Sequence, residues 1–190
     1  MDTIVKSLKN GGVGVMPTDT LYGLVGSAYS PGAVERIYEL RQRDKDKPCI
    51  VLISSVADLA AFGITLPPKL ELHLPEFWPG TVSIIFPVPD EKFAYLHRGG
   101  KSLAFRLPQN KDLIAILKET GPLVAPSANI QGLPPARTVE EAEKYFATKV
   151  DFYQDGGELT ADPSAIVRFE GDKMIVIRDG EALRGKKPSL

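Results

Sequence analysis

Three polar constellations in this chain combine residue types that bind anions and nucleotides. The first is Pro126-Ser127-Ala128-Asn129-Ile130-Gln131-Gly132, which follows the apolar run Gly121 to Ala125. A strand that stops at a proline and opens into Ser, Ala, Asn and Gly cannot extend its ladder. It turns there, and small side chains leave backbone N–H groups open to a ligand. Ser127 and Asn129 add orientable donors and acceptors two residues apart. Taken alone, the stretch is first of all an ordinary strand-to-loop turn.

The second constellation is Pro17-Thr18-Asp19-Thr20-Leu21-Tyr22-Gly23-Leu24, placed directly after a short apolar run. Hydroxyls and a carboxylate at a strand end stand at the rim of a sheet, where open α/β folds bind ligands. A turn capped by Thr and Asp explains the same residues equally well. The third is Arg41 to Pro48, with four cations at Arg41, Arg43, Lys45 and Lys47. Such a cluster neutralises polyphosphate, and the arginine fork suits phosphate oxygens. Asp44 and Asp46 temper the field, and a solvated loop is the simpler account of a mixed charge run. Neither a GxxxxGK[ST] loop nor a GxGxxG after a strand is present, so a nucleotide site here is of another design. His73 and His97 lie far apart and no GxSxG accompanies them, which argues against a hydrolytic triad.

These segments need a scaffold, and the chain's periodicities describe one. Helices are expected over about 2–10, 31–42, 56–62, 110–119 and 138–146. Strands are expected at Val13 to Met16, Cys49 to Ile53, Thr81 to Pro87, Ser102 to Leu107 and Leu123 to Ala125. Ala165 to Phe169 and Met174 to Ile177 flank Glu170-Gly171-Asp172 and read as a hairpin. The expected fold is a single α/β domain with a mixed sheet. The 190 residues suffice for one well-filled core. A formal net charge of −1 is unlike a general nucleic-acid coat protein but compatible with a local basic cleft. One cysteine, Cys49, excludes an internal disulfide and a thiolate zinc site. No apolar run nears the roughly 18 residues of a membrane span, and Met1 to Asn10 lacks a signal-peptide pattern. A cytoplasmic protein is expected.

In order along the chain, several motifs resemble the YrdC family, whose members include threonylcarbamoyl-AMP synthases. They are Pro17-Thr18-Asp19-Thr20-Leu21-Tyr22-Gly23, Leu40-Arg41-Gln42-Arg43 with Lys47-Pro48, and Trp78-Pro79-Gly80. Leu103-Ala104-Phe105-Arg106-Leu107-Pro108 and Ala125-Pro126-Ser127-Ala128-Asn129 with Gly132 complete the set. The resemblance runs from about Gly12 to Gly180 and implies one twisted open α/β domain, residues 1–190, around a concave, positively charged cavity. It implies the synthesis of threonylcarbamoyl-AMP and pyrophosphate from L-threonine, bicarbonate or CO2, and ATP. Mg2+ is expected with the ATP. A downstream threonylcarbamoyl transferase complex and contact with tRNA are the implied partners.

By that resemblance Arg43 and Lys47, with Arg41 beside them, carry the catalytic contacts to the ATP phosphates. Ser127 and Asn129 match the family's nucleotide turn, and Arg178, before Asp179-Gly180, matches a late arginine near ATP. Ser83 falls at the triphosphate. Thr20 and Ser164 match the L-threonine pocket, and Arg106 is either an anchor in the cavity or a salt-bridged structural residue. The family's usual Lys-x-Arg-Pro departs here to Arg41-Gln42-Arg43-Asp44. A paralogue that binds RNA or nucleotide without making the adenylate is the alternative this departure raises. A carbamoyl-transfer domain is a further one, disfavoured by the single cysteine.

Overall fold

A computed structural model describes residues 1–185 of the chain. Among these residues nine strands form one mixed sheet: β1 (Val13–Pro17), β2 (Tyr22–Ser27), β3 (Val51–Leu52), β4 (Val82–Pro87), β5 (Ser102–Arg106), β6 (Leu123–Val124), β7 (Phe152–Tyr153), β8 (Ala165–Glu170) and β9 (Lys173–Arg178). Their spatial order is β7-β1-β2-β6-β3-β5-β4-β8-β9. Helices α1 (Asp2–Lys9), α2 (Pro31–Arg41), α3 (Pro68–His73), α4 (Ala94–His97), α5 (Lys111–Thr120) and α6 (Val139–Phe146) connect them.

The sheet separates two cores because strand side chains alternate faces. Val51 and Val124 belong to one core, while their neighbours Leu52 and Leu123 belong to the other. On one face Leu8 of α1 packs with Leu113, Ile116 and Leu117 of α5. On the other, Ile37 of α2 and Phe146 of α6 join Phe62 and Phe105. Local chemistry explains the helix starts. The Ser30 side chain accepts from Ala33 N–H, that of Asn110 from Asp112 and Leu113 N–H, and that of Thr138 from Glu141 N–H.

The expected hairpin is β8–β9, antiparallel, with Gly171 at φ 58° in its turn. Residues 56–62 form a 3-10 helix rather than an α-helix, with Ser55 and Asp58 making a capping box. The strand expected from Cys49 shortens to Val51–Leu52. The carbonyls of Lys47 and Pro48 are held from the α2 side, and the chain joins the ladder only afterwards. Strand β2 was not anticipated, because Gly23 and Gly26 weaken its strand pattern. A Cβ on Gly26 would stand 3.1 Å from Ile37 Cδ1 and 3.3 Å from Ala33 Cβ, so this glycine lets α2 lie close on the sheet.

Candidate functional site

A cavity of about 300 Å3 opens where β1–β2, the end of α2, β5, β6 and the start of β8 converge. After β1 the chain reverses through Thr18 to Leu21, and the Thr18 hydroxyl donates to Leu21 O at 2.7 Å. That reversal puts Thr18 and Thr20 on one wall. Asp19 turns away from the cavity. Its carboxylate accepts from the N–H groups of Gln109 and Asn110 at 2.7 and 2.8 Å, tying the turn to the start of α5.

Arg106 ends β5 and lines the cavity. Its side chain is 4% exposed, and its nearest carboxylate oxygen, on Asp19, lies 3.7 Å away. Nε and Nη1 have no hydrogen-bond partner. Burial lowers its pKa, Asp19 opposes that shift and Arg178 adds to it. Arginine keeps its charge in proteins, so this guanidinium is incompletely paired and suited to accept an anion.

On the β8 side Arg178 donates from Nε to Ser164 O at 2.9 Å and from Nη2 to Ser164 Oγ at 3.3 Å. Ser164 lines the cavity. Ser83 is fully buried behind it, with the two hydroxyl oxygens 3.0 Å apart. Burial lowers the Arg178 pKa, and Arg43 contributes to the same shift.

At the other wall α2 ends at Gln42, whose left-handed φ of 49° turns the chain out of the helix. Arg43 lines the cavity but donates from Nε to Lys47 O and from Nη2 to Pro48 O, each at 3.0 Å. The Tyr38 hydroxyl donates to the same Lys47 carbonyl at 2.8 Å. Lys47 is not among the lining residues; its ammonium pairs with Asp44 at 2.6 Å on the exposed rim. The two departures from the family pattern thus part company: Asp44 faces Lys47, and Arg41 turns inward.

Arg41 is buried and lines the cavity, yet its fork is engaged by the facing turn. Nε donates to Asn129 O at 3.0 Å, and Nη2 donates to Asn129 Oδ1 at 2.9 Å and Ser127 Oγ at 3.2 Å. Burial, with Arg43 nearby, pulls its pKa down to about 10. The turn is more self-contained than its sequence suggests. Ala128 N–H donates to Tyr22 O, Asn129 N–H to Ser127 O, and Gln131 N–H to Arg41 O. Those three N–H groups are closed to a ligand, so the backbone cradle expected here is narrower than the whole turn. Ser127 lines the cavity and Asn129 stands behind it.

The structure therefore brings Thr20, Arg41, Arg43, Arg106, Ser127, Ser164 and Arg178 to one cavity. Lys47, Ser83 and Asn129 sit beside it as rim or support. Four arginines and no carboxylate line it among the described residues. Cys49 also lines the cavity, which its sequence context did not signal; burial raises its thiol pKa.

Known proteins share this fold. A family profile for Sua5, YciO and YrdC, described as telomere recombination, matches residues 6–180. The threonylcarbamoyl-AMP synthase of Bacillus subtilis is 31% identical over 176 residues, covering 91% of this chain and 51% of the relative. Pyrococcus abyssi Sua5, solved in complex with L-threonine, superposes with a TM-score of 0.86 at 26% identity, over 98% of this chain and 57% of that one. Escherichia coli YciO superposes with a TM-score of 0.84 at 25% identity, over 100% of this chain and 92% of that one. The chain spans about half the length of the B. subtilis and P. abyssi synthases, 51% and 45% respectively. With the profile matching nearly end to end and the fold superposing throughout, the chain belongs to the Sua5/YciO/YrdC family.

Proposed function

We propose that this chain is an L-threonylcarbamoyladenylate synthase. The threonine amine takes up CO2 as a carbamate, a carbamate oxygen attacks the α-phosphorus of ATP, and pyrophosphate leaves. The observation that carries this reading is Arg106, a buried guanidinium lining the cavity with two unpartnered nitrogens. It needs an anion, and the carboxylate of an amino acid matches its fork. Thr20 and Ser164 supply neutral hydroxyls on the walls beside it for the rest of threonine.

The reaction brings a carbamate and a triphosphate together, so cations matter more than an acid–base pair. Arg43 and Arg178 are the phosphate-binding groups in this reading, with Lys47 joining from the rim once it leaves Asp44. Ser127, with Asn129 behind it, meets the nucleotide. Among the described residues no group of three or more His, Cys, Asp or Glu is arranged to hold a metal. The Mg2+ expected with ATP would be carried on phosphate oxygens and water, a coordination common for this ion. The product is a mixed anhydride whose acyl group a transferase complex passes to tRNA, and both that complex and tRNA contact belong to the proposal. So does a cytoplasmic location; no helix of the described residues is long and apolar enough to cross a membrane.

Purified protein with ATP, threonine and bicarbonate is expected to yield threonylcarbamoyl-AMP by mass spectrometry and to release pyrophosphate. No release above a control without threonine overturns the synthase reading in favour of nucleotide or RNA binding alone. That second reading draws on Arg41, which is engaged by the protein where the family places a lysine.

A further inference from the structure

On the reading of the cavity as a nucleotide site, its Ser127 wall has a defined hydrogen-bond polarity. Asn129 Nδ2 donates to Ile130 O at 2.9 Å and Leu133 O at 2.7 Å. Carbonyls only accept, so these contacts settle which end of the amide is nitrogen. Asn129 Oδ1 must then be the atom that receives Arg41 Nη2 at 2.9 Å and Ser127 Oγ at 2.7 Å. Because Oδ1 cannot donate, the Ser127 proton lies on that bond. Arg41 Nη2 also donates to Ser127 Oγ, occupying one of its two lone pairs. One lone pair remains, on a hydroxyl that lines the cavity.

We propose that Arg41 is a positioning residue that fixes Ser127 Oγ as an acceptor, so that this wall takes a donor group of the nucleoside and not a phosphate oxygen. The donor is a ribose hydroxyl or the exocyclic amine of the base. A phosphate oxygen placed here would set acceptor against acceptor, or force Ser127 to withdraw its proton from Asn129. Phosphates go instead to Arg43 and Arg178, which have donors only. The arginine fork is what makes this possible. Nε reaches the Asn129 main-chain oxygen while Nη2 reaches both side chains, and the single nitrogen of a lysine cannot occupy both positions. Gln131 closes the clasp from the other side. Its N–H donates to Arg41 O at 2.8 Å, and its Oε1 accepts from Asp44 N–H at 3.0 Å.

The test is calorimetric binding to wild type, Ser127→Ala and Arg41→Lys. The probes are ATP, 2′-deoxy-ATP, 3′-deoxy-ATP, the purine riboside triphosphate lacking the amine, and inorganic tripolyphosphate. One donor-deleted nucleotide is expected to bind wild type roughly 3- to 10-fold more weakly than ATP. The same deletion is expected to have no effect in Ser127→Ala, and the analogue that responds separates ribose from base. Tripolyphosphate is expected to bind wild type and Ser127→Ala alike. In Arg41→Lys the discrimination shrinks to less than about twofold while tripolyphosphate binding persists, because the charge is kept but the orientation is lost. If circular dichroism shows that Arg41→Lys has not folded, the Ser127→Ala comparison decides alone. Equal loss of ATP and tripolyphosphate in Ser127→Ala overturns the assignment, as does equal binding of ATP and all donor-deleted analogues. A wild type that binds neither ATP nor tripolyphosphate overturns the nucleotide reading itself, and this assignment with it.

Discussion

Replacing Arg106 by methionine separates the cost of a poised cation from its use. The guanidinium is 4% exposed and its nearest carboxylate oxygen is 3.7 Å away, on Asp19, which is already bonded to two backbone N–H groups. Each buried donor without a partner costs about 1–3 kcal/mol, and Arg106 has two. Methionine has comparable length and no polar hydrogen. Exchanges of buried charge for apolar volume are commonly neutral or stabilising by about 1–4 kcal/mol. At about 2–4 °C per kcal/mol for a domain of this size, Arg106→Met is expected to leave Tm unchanged or raise it by roughly 2–16 °C without ligands. Threonine binding should move the other way. Losing a buried charged partner costs about 2–5 kcal/mol, or roughly 30-fold to several-thousandfold in affinity. Scanning calorimetry of the ligand-free protein and titration calorimetry with threonine read the two quantities. A fall in Tm of more than about 5 °C with threonine affinity retained would show that Arg106 holds the fold together and binds no anion.

Two other perturbations probe charge at the rim and at the sheet edge. Asp44→Asn removes the partner of Lys47 and is expected to tighten ATP binding about twofold at low salt, with the gain vanishing near 0.5 M salt. Weaker binding would mean that Asp44 assists the nucleotide. Asp151 is held below the usual carboxylate range by its bond to Arg36, with Val13 N–H also lowering it. A depressed carboxylate stabilises the fold above its unfolded pKa of about 3.9, and loses that contribution as pH falls through the lower folded value. Urea unfolding should therefore find Asp151→Asn less stable than wild type at pH 7, with the two converging near pH 2. A gap of unchanged size at pH 2 would assign the effect to packing.

Much of the scaffold is legible along the chain. The spans of α2, α5 and α6 and the hairpin turn at Gly171 are local signals, and their elements stand within a few residues of where those signals put them. Strands β2 and β7 and helices α3 and α4 are not legible. Two residues pair as β7 because Gly14 and Val15 of β1 offer them a parallel edge, and Phe152-Tyr153 says little of that by itself. Helices α3 and α4, six and four residues long, are shorter than any periodicity can establish.

Residue types and their order are written along the chain: hydroxyls after β1, cations after α2, Arg106 at the end of β5, and a Ser-x-Asn turn after β6. Which partner each one meets follows from the folding of distant segments together. Arg41 and Arg43 are two residues apart in the same charge run, yet Arg41 is drawn into the Ser127–Asn129 turn while Arg43 folds back on the loop carbonyls. Lys47 is neutralised by a neighbour, and Arg106 is left wanting a partner. The reason is hydrogen-bond satisfaction under burial: a polar group in the interior must find its partners, and those partners come from strands and turns far away along the chain.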